Sequence, residues 1–352
     1  MTRTVLVAAI VAGTMCLAAC GREAGTAVPA RRTVEFTGPT MGTTFTVKVV
    51  PGAAGLATEE RQAIDAAIRD QLARIDQQLS TWRVDSTLSQ FNASDALVPT
   101  PVEPETFEVF RQALEMGAFT DGALDVTIGP LVDAWGFGPN GQADVAPTEA
   151  SLDALSPVLG LAHLELDAEA RTVRKRTPGV RCDFSSLAAG YAADLVTAML
   201  EARGHRHFLV DMGGELVARG LNENGQPWQV AVDRPQAVGR AVLRIVPLTD
   251  MAIATSGDYR NFRDVDGRRL PHILDPRTRR PVAHHVASVT VLDPLGWRAD
   301  ALSTALMVMG ADEGLAFAER HQVPVLMLVP DERGDYQEQA SSAFSAWMGT
   351  HS

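Results

Sequence analysis

The sequence Asp300-Ala-Leu-Ser-Thr304, read together with Asp183-Phe-Ser-Ser-Leu-Ala-Ala-Gly-Tyr-Ala-Ala-Asp194, decides how this chain is interpreted. Asp300 and Thr304 stand four residues apart in an apolar segment that continues to Gly310. Such a segment is typical of a helix, where residues four apart lie on one face. A carboxylate and a hydroxyl on one face are ligands that Mg²⁺ accepts. Spacing alone, however, favours an ordinary helix start in which Asp complements the helix dipole.

The composition is that of an acidic globular protein. The chain has 352 residues, of which 46% are hydrophobic and 21% charged, and its net charge is −12. This length is enough to bury one large core or two closely packed domains. No basic patch stands out, so we do not expect the chain to bind nucleic acid. An acidic protein that binds an anion needs a metal ion or helix N-termini to offset the repulsion.

The N-terminal segment is typical of a bacterial lipoprotein signal. An apolar run from Val5 to Leu17 is too short for a permanent membrane span and ends in Leu17-Ala18-Ala19-Cys20, which resembles a lipobox. We predict a signal peptide over 1–19, a tether over 20–32 that starts at a lipidated Cys20, and one domain over 33–352. An ordinary secretory signal with a chance cysteine is the alternative.

The predicted anchor determines the expected location and thiol chemistry. A lipidated Cys20 places the domain in the bacterial cell envelope, anchored on the periplasmic side and more readily at the inner than at the outer membrane. Cys16 leaves with the signal peptide, so Cys182 is the remaining thiol and no disulfide forms within the mature chain.

The order of helical and strand patterns predicts an α+β fold with mixed or antiparallel sheets packed against helices. Helices are predicted over Glu59 to Leu79, with Thr58 as its cap, over Pro104 to Gly117, and over Leu187 to Arg203. Short strands at regular spacing occupy most of the C-terminal half, and the last one is predicted over Val323 to Val329.

Eight groups of residues, in one order along the chain, resemble the ApbE-type flavin transferases. They are Met41-Gly-Thr43, Ser80-Thr-Trp82, Gly122 to Thr127 with Gly129-Pro-Leu-Val132, Asp183 to Asp194, Gly213-Gly-Glu215, Ala254-Thr-Ser-Gly-Asp-Tyr259, His272-Ile-Leu-Asp-Pro-Arg-Thr278, and Ala299-Asp-Ala-Leu-Ser-Thr304. The resemblance covers the chain from about Val34 to His321. For Asp300 and Thr304, the resemblance favours the magnesium-ligand interpretation over an ordinary helix start.

The resemblance implies an ApbE-like fold that binds FAD, as a substrate, in a cleft between its two halves. With Mg²⁺, members split the FAD diphosphate, release AMP and attach FMN through a phosphoester to a Thr or Ser hydroxyl of a target protein. Targets are flavoproteins such as subunits of membrane redox pumps. Two alternatives stay open: an FAD diphosphatase that uses water as acceptor, and a lipoprotein that binds FAD without catalysis.

The resemblance also implies roles for individual residues. Residues expected to contact FAD are Met41, Trp82, Ala123, Leu124, Asp125, Asp183, Ala189 and Ile273. Expected magnesium ligands are Ser186, often through its carbonyl, Asp300 and Thr304, with Ser303 a weaker candidate. Asp300 and His272 are the expected catalytic residues, and His272 is a candidate for moving a proton. A structural role for His272, as for a half-buried Trp82, is the plain alternative.

Three positions depart from the family pattern. Ala189 stands where Lys or Glu is usual, Pro271 replaces a frequent His, and Arg279 replaces a usual Gly. A side chain at position 279 puts the geometry of that turn in question. Arg277 or Arg279 is a candidate to restore positive charge near the phosphates.

Overall fold

The computed structural model describes residues 32–141, 145–235, 241–257, 262–265 and 268–351. The predicted signal peptide, Cys20, nearly all of the predicted tether, and Asp258 and Tyr259 lie outside these residues. Residues 31–352 form one compact unit.

The described chain contains helices and strands in irregular alternation, which confirms the α+β prediction. The helices are α1 Thr58–Leu79, α2 Thr87–Ala93, α3 Pro104–Phe119, α4 Gly129–Ala134, α5 Glu149–Leu155, α6 Ala188–Ala202, α7 Gly296–His321 and α8 Ser342–His351. The strands are β1 Val34–Thr40, β2 Thr43–Val49, β3 Thr100–Pro101, β4 Leu164–Asp167, β5 Thr172–Lys175, β6 Phe208–Met212, β7 Glu215–Arg219, β8 Trp228–Asp233, β9 Val242–Leu248, β10 Met251–Gly257, β11 Phe262–Val265, β12 Arg268–Pro271, β13 Leu274–Asp275, β14 Arg280–Pro281, β15 Ser288–Asp293, β16 Val325–Pro330 and β17 Tyr336–Ala340.

The central element is an eight-stranded antiparallel sheet in the order β1-β2-β6-β7-β10-β15-β16-β17. Strand β2 shows how the sequence makes a two-faced sheet, because successive side chains of a strand point to opposite faces. Phe45, Val47 and Val49 are buried on one face, while Thr44 and Thr46 alternate with them.

Each face of the sheet has its own cover. On the face of Phe45 and Val47, a large core includes residues of α1, α6 and α7. On the opposite face, Val230 of the β8–β9 hairpin and Phe344 of α8 share a second core with Ile253 of β10. Helix α7 is long and apolar enough to span a membrane by length and composition, but most of that stretch is buried inside this fold.

Two secondary-structure predictions are wrong. Thr58 does not cap α1, because it is the first helical residue and Ala57 occupies the cap position without a side-chain bond. The strand predicted to end at Val329 is not the last, since β17 and α8 follow it. Strand β17 is an edge strand with mostly exposed side chains, so it lacks the apolar alternation by which strands are recognised.

Candidate active site

A cleft of about 930 Å³ collects most of the residues predicted for the site. Its lining includes Ala123, Leu124, Asp125, Asp183, Ser186, His272, Ile273, Asp300 and Thr304. These residues come from both halves of the sequence. The volume lies in the range of about 300–1,000 Å³ that is typical of small-molecule sites.

Asp300 and Thr304 lie one turn apart on α7, as the sequence predicts, and both line the cleft. Asp300 is only 6% exposed, and its Oδ2 accepts a hydrogen bond of 3.0 Å from the Gly190 N–H. Burial raises the pKa of Asp300 to about 7, although the Gly190 hydrogen bond opposes the shift. In the described residues no cationic side chain forms an ion pair with this carboxylate.

The hydrogen bond from Gly190 depends on a close approach of α6 to α7. A Cβ atom at Gly190 would lie 2.3 Å from the carbonyl oxygen of Gly296 and 2.8 Å from the Cβ of Asp300. A Cβ at Gly296 would in turn lie 2.7 Å from the Gly190 carbonyl oxygen. Only glycine therefore fits at this crossing, which brings the Asp300 carboxylate against the first turn of α6.

Asp194 fixes the start of α7. Its Oδ1 accepts from the Gly296 N–H at 2.7 Å, and its Oδ2 accepts from the Trp297 N–H at 2.9 Å. The carboxylate thus satisfies two of the N–H groups that a helix leaves unpaired at its N-terminus. Burial raises the pKa of Asp194 to about 6. The sequence placed Asp194 in a motif but gave it no role, because its partners lie far away in the chain.

A chain of hydroxyl groups runs beside Asp300. The Ser256 Oγ lies 2.8 Å from the Ser303 Oγ and 3.1 Å from the Thr304 Oγ1. Ser303 also donates to the Asp300 carbonyl and is buried, outside the residues that line the cleft. Ser303 therefore has a structural position, whereas Ser256, which sequence reasoning missed, lines the cleft.

The predicted metal ligands form a set with a single carboxylate. Asp300 supplies that group, Thr304 a hydroxyl, and Ser186 a candidate carbonyl just ahead of α6. No cluster of three or more His, Cys, Asp or Glu side chains suited to a metal occurs in the described ranges. The set fits Mg²⁺, which prefers oxygen ligands and keeps water or phosphate oxygens in its shell. Among the described residues, no cationic side chain pairs with the buried Asp300 carboxylate. A divalent cation is a suitable partner for this carboxylate.

Another part of the cleft is built from two tight turns. The Asp125 Oδ1 accepts from the Thr127 N–H at 2.8 Å and from its hydroxyl at 2.7 Å. The Asp183 Oδ1 accepts from the Ser185 N–H at 2.8 Å. Burial raises the pKa of Asp125. Both carboxylates form turns and border the cleft, and their predicted contacts with FAD stay predictions.

Asn92 ties this region to α2. Its Nδ2 donates to the Cys182 carbonyl and its Oδ1 accepts from the Cys182 N–H, both at 2.7 Å. This pair of bonds imitates the exchange between two strands. It holds the backbone immediately before Asp183, whose own N–H donates to the Val126 carbonyl at 2.8 Å.

Three predicted FAD contacts are not among the residues that line the cleft. Met41 occupies the β1–β2 turn with φ of +42° and packs partly against the core. Trp82 is 71% exposed in the loop before α2, so the half-buried alternative is wrong. Ala189 lies in the first turn of α6. Their predicted contacts with FAD stay predictions.

Arg277 and Arg279, the candidates for positive charge near the phosphates, are not among the residues that line the cleft. Arg277 forms ion pairs with Asp275 at 3.1 Å and Glu313 at 2.8 Å, and Arg279 pairs with Asp153 at 3.0 Å. Neither supplies positive charge to the cleft in this structure. Arg279 has φ of +63°, the left-handed conformation that usually requires glycine, so the turn is kept despite the substitution.

Sequence reasoning missed the sheet side of the cleft. Its lining there includes Glu35, Thr44, Thr46, Lys48, Leu209, Asp211, Leu216 and residues 229–233. The alternation in β2 indicates that Thr44, Thr46 and Lys48 share one polar face. Nothing in the sequence indicates that this face borders the same cavity as Asp300.

Comparison with known proteins gives consistent matches over most of the chain. The sequence pattern of the ApbE family matches residues 41–327. The FAD:protein FMN transferase of Vibrio cholerae is 42% identical over 327 residues, covering 92% of this chain and 95% of the relative. The protein of that name from Escherichia coli is 37% identical over 313 residues, covering 88% and 86%.

Solved structures agree with the sequence comparison. The flavin transferase ApbE from Vibrio cholerae matches with a TM-score of 0.81 and 40% identity, over 90% of this chain and 99% of that one. The apo flavinyl transferase ApbE from Pseudomonas stutzeri matches with a TM-score of 0.81 and 40% identity, over 90% and 97%. The ApbE protein from Thermotoga maritima matches with a TM-score of 0.78 and 28% identity, over 90% and 99%.

Proposed function

This chain belongs to the ApbE family, and we propose that it uses Mg²⁺ to transfer FMN from FAD to a Thr or Ser hydroxyl of a protein. Its relatives are named for FMN transfer from FAD to protein. The metal, the acceptor hydroxyl and the residue roles are our proposal. The observation that supports them is that Asp300 and Thr304, one turn apart on α7, both line one large cleft.

The proposed magnesium ligands are Asp300, Thr304 and the Ser186 backbone. A magnesium ion held there would neutralise charge on the oxygens of the FAD diphosphate and stabilise AMP as the leaving group. The protein residues determine where the ion would lie. Gly190 and Asp194 hold the start of α7 against α6, and Ser256 lies beside Thr304.

The proposed reaction is one displacement at phosphorus. The acceptor hydroxyl oxygen attacks the phosphorus on the FMN side of the diphosphate and forms the new P–O bond. The bond from that phosphorus to the bridging oxygen breaks, and AMP leaves with that oxygen. The hydroxyl proton passes to His272, which lines the cleft and belongs to the residue type whose ordinary pKa is nearest neutrality. As a proposed metal ligand, Asp300 does not serve as this base.

We also propose that the chain acts at the surface of a membrane. The basis is the lipobox-like sequence that ends at Cys20. Under this proposal the acceptors are flavoproteins outside the cytoplasm, such as subunits of membrane redox pumps. A Cys20→Ser variant should move from the membrane fraction to the soluble fraction, and unchanged fractionation would contradict lipid anchoring.

The function is tested with purified protein, FAD, Mg²⁺ and candidate extracytoplasmic proteins. Transfer should give an acceptor band that stays fluorescent on a denaturing gel, together with an equal amount of AMP. Asp300→Asn should lose both products. Asp312→Asn, an exposed change on the same helix, is the matched control and should keep them. AMP without a labelled band would identify the protein as an FAD diphosphatase, and neither product would identify it as a binding protein.

A further inference from the structure

The cleft has two parts, only one of which contains the predicted ligands of FAD and magnesium. The helix arm contains Asp300 and Thr304 on the face of the sheet that α6 and α7 cover. The sheet arm is the part lined by Glu35, Thr44, Thr46, Lys48, Leu209, Asp211, Leu216 and residues 229–233. The two arms meet at the ends of the strands, where Gly213, Gly214 and Ser256 also line the cleft.

The sheet arm lies on the other face of the central sheet. Along β2, Thr44 and Thr46 alternate with Phe45 and Val47, whose side chains belong to the core on the helix side. In β7, Leu216 alternates with Val217, which is buried in that same core. The cleft therefore passes from one face of the sheet to the other around the strand ends.

The wall of the sheet arm includes the backbone edge of a strand. Five consecutive residues of β8, 229–233, line the cleft, although their side chains alternate between core and surface. A strand contributes consecutive residues in this way when its edge borders the cavity. No residue of β9, which pairs with β8, is part of this lining. The cleft thus borders the edge of β8 that faces away from β9.

The pairing of β8 with β9 shows which groups this edge offers. Gln229 is opposite Pro247, which has no N–H, so these two residues cannot exchange both hydrogen bonds. Antiparallel pairs alternate, so Ala231 opposite Ile245 is also a pair without mutual bonds. Consistently, the Pro247 carbonyl points away from β8 and accepts from the Trp347 indole at 2.9 Å.

The backbone N–H and C=O groups of Gln229 and Ala231 thus point to the cleft, and we call them the open edge of β8. Across the described ranges, no third strand pairs with β8 and no backbone hydrogen bond engages these groups. An unpaired edge of this kind is a template for an additional strand.

We infer that the sheet arm binds the acceptor protein, which inserts an extended segment that pairs with the open edge of β8. This inference rests on the proposed function, in which FMN is joined to a protein hydroxyl. The acceptor chain must then enter the same cleft as FAD. The sheet arm is continuous with the helix arm, so a segment paired with β8 would lie in the same cleft as Ser256 and Thr304.

The most specific test removes one N–H from the open edge. Ala231→Pro deletes the outward donor and leaves the inward pairs of β8 intact, since proline is tolerated on edge strands. Ile245→Pro is the matched control, because Ile245 is the partner of Ala231 and its N–H faces the opposite side of the hairpin. The probe is the acceptor protein that the wild-type chain labels most strongly with flavin.

We expect Ala231→Pro to raise the KM for the acceptor protein about tenfold. The affinity for FAD and the AMP released without acceptor should stay at the wild-type level. Ile245→Pro should change none of these quantities. If Ala231→Pro does not fold, Thr46→Trp, which fills the sheet arm from β2, is the second test. It should also raise the KM for the acceptor protein and leave FAD affinity and AMP release at the wild-type level.

A direct measurement is amide hydrogen exchange. A peptide of about 12 residues around the labelled hydroxyl should slow exchange at Gln229 and Ala231 but not at Ile245. If Ala231→Pro and Thr46→Trp both keep the wild-type KM for the acceptor protein, the inference is overturned. A loss of FAD affinity in these variants would also overturn it, because it would place part of FAD in the sheet arm. Absence of labelling by the wild-type chain would instead overturn the proposed function.

Discussion

At the scale of single residues, the buried carboxylate of Asp300 makes the stability of the metal-free protein depend on pH. Its folded-state pKa of about 7 lies above the unfolded value of about 3.9. Between these values the folded state binds more protons, so the free energy of unfolding decreases as pH rises from about 4 to 7. The cost of ionisation persists above pH 7 unless a cation offsets it.

Asp300→Asn should remove this pH dependence while its amide oxygen still accepts from Gly190. Without metal, the variant should be more stable than the wild type at pH 8 by on the order of 2–4 kcal/mol and similar to it near pH 4. Thermal melts across pH check this. Mg²⁺ should raise the melting temperature of the wild type at pH 8 but not that of the variant. If the stability difference between the variant and the wild type does not change with pH, the pH dependence does not come from the Asp300 carboxylate.

Asn92→Ala should weaken the site from a distance. It leaves the Cys182 N–H and C=O without their partner, at a cost of about 1–3 kcal/mol for an unsatisfied group. Because Asp183 follows directly, FAD affinity should fall, which fluorescence titration measures. The control is Asn224→Ala in an exposed turn. Stability loss with unchanged FAD affinity would show that Asn92 supports the fold alone.

The positions of residues were predicted correctly where a short motif determines its own geometry. The Asp300–Thr304 pair follows from helical spacing, and both side chains line the cleft. Prediction failed where the partner is distant in sequence, as for Asp194 and for Ser256. Arg279 shows a further limit of prediction from sequence. The turn there keeps a φ of +63° although position 279 is not glycine.

At the scale of elements, the crossing of α6 and α7 determines where the metal ligands lie. Gly190→Ala places a Cβ 2.3 Å from the Gly296 carbonyl, so the helices must separate. We expect a loss of about 1–3 kcal/mol in stability and weaker Mg²⁺ binding, measured by melting with and without the metal.

Gly314→Ala on α7 is the matched control for that change. Its Cβ would lie 2.7 Å from the flexible end of Met327 and 3.2 Å from the Leu306 carbonyl oxygen, and alanine favours a helix over glycine by about 1 kcal/mol. Equal metal binding in Gly190→Ala and wild type would show that the crossing does not position Asp300.

Elements with strong periodicity were predicted well. The predicted α1, α3 and α6 correspond to Thr58–Leu79, Pro104–Phe119 and Ala188–Ala202. Strand β17 was missed because its residues are polar and lie at an edge. The cap of α1 was placed one residue too late, since no side chain marks the position of Ala57.

At the scale of the whole molecule, the cleft joins two faces of one sheet. The sequence predicts the α+β class, and the family resemblance points to the helix arm. The sheet arm follows only from long-range packing: the strand order places β2, β6 and β7 side by side, and the hairpin β8–β9 packs on that face and lines the same cleft. The register of these long-range contacts is not visible in local patterns.

We propose that the chain transfers FMN to a protein with a metal ion held by α7. The most direct measurement is flavin fluorescence of a denatured acceptor after incubation with FAD, in Mg²⁺ or in excess chelator, for the wild type, Asp300→Asn and Asp312→Asn. We expect labelling only with Mg²⁺, and only by the wild type and Asp312→Asn. Equal labelling by Asp300→Asn, or labelling that survives the chelator, would contradict it.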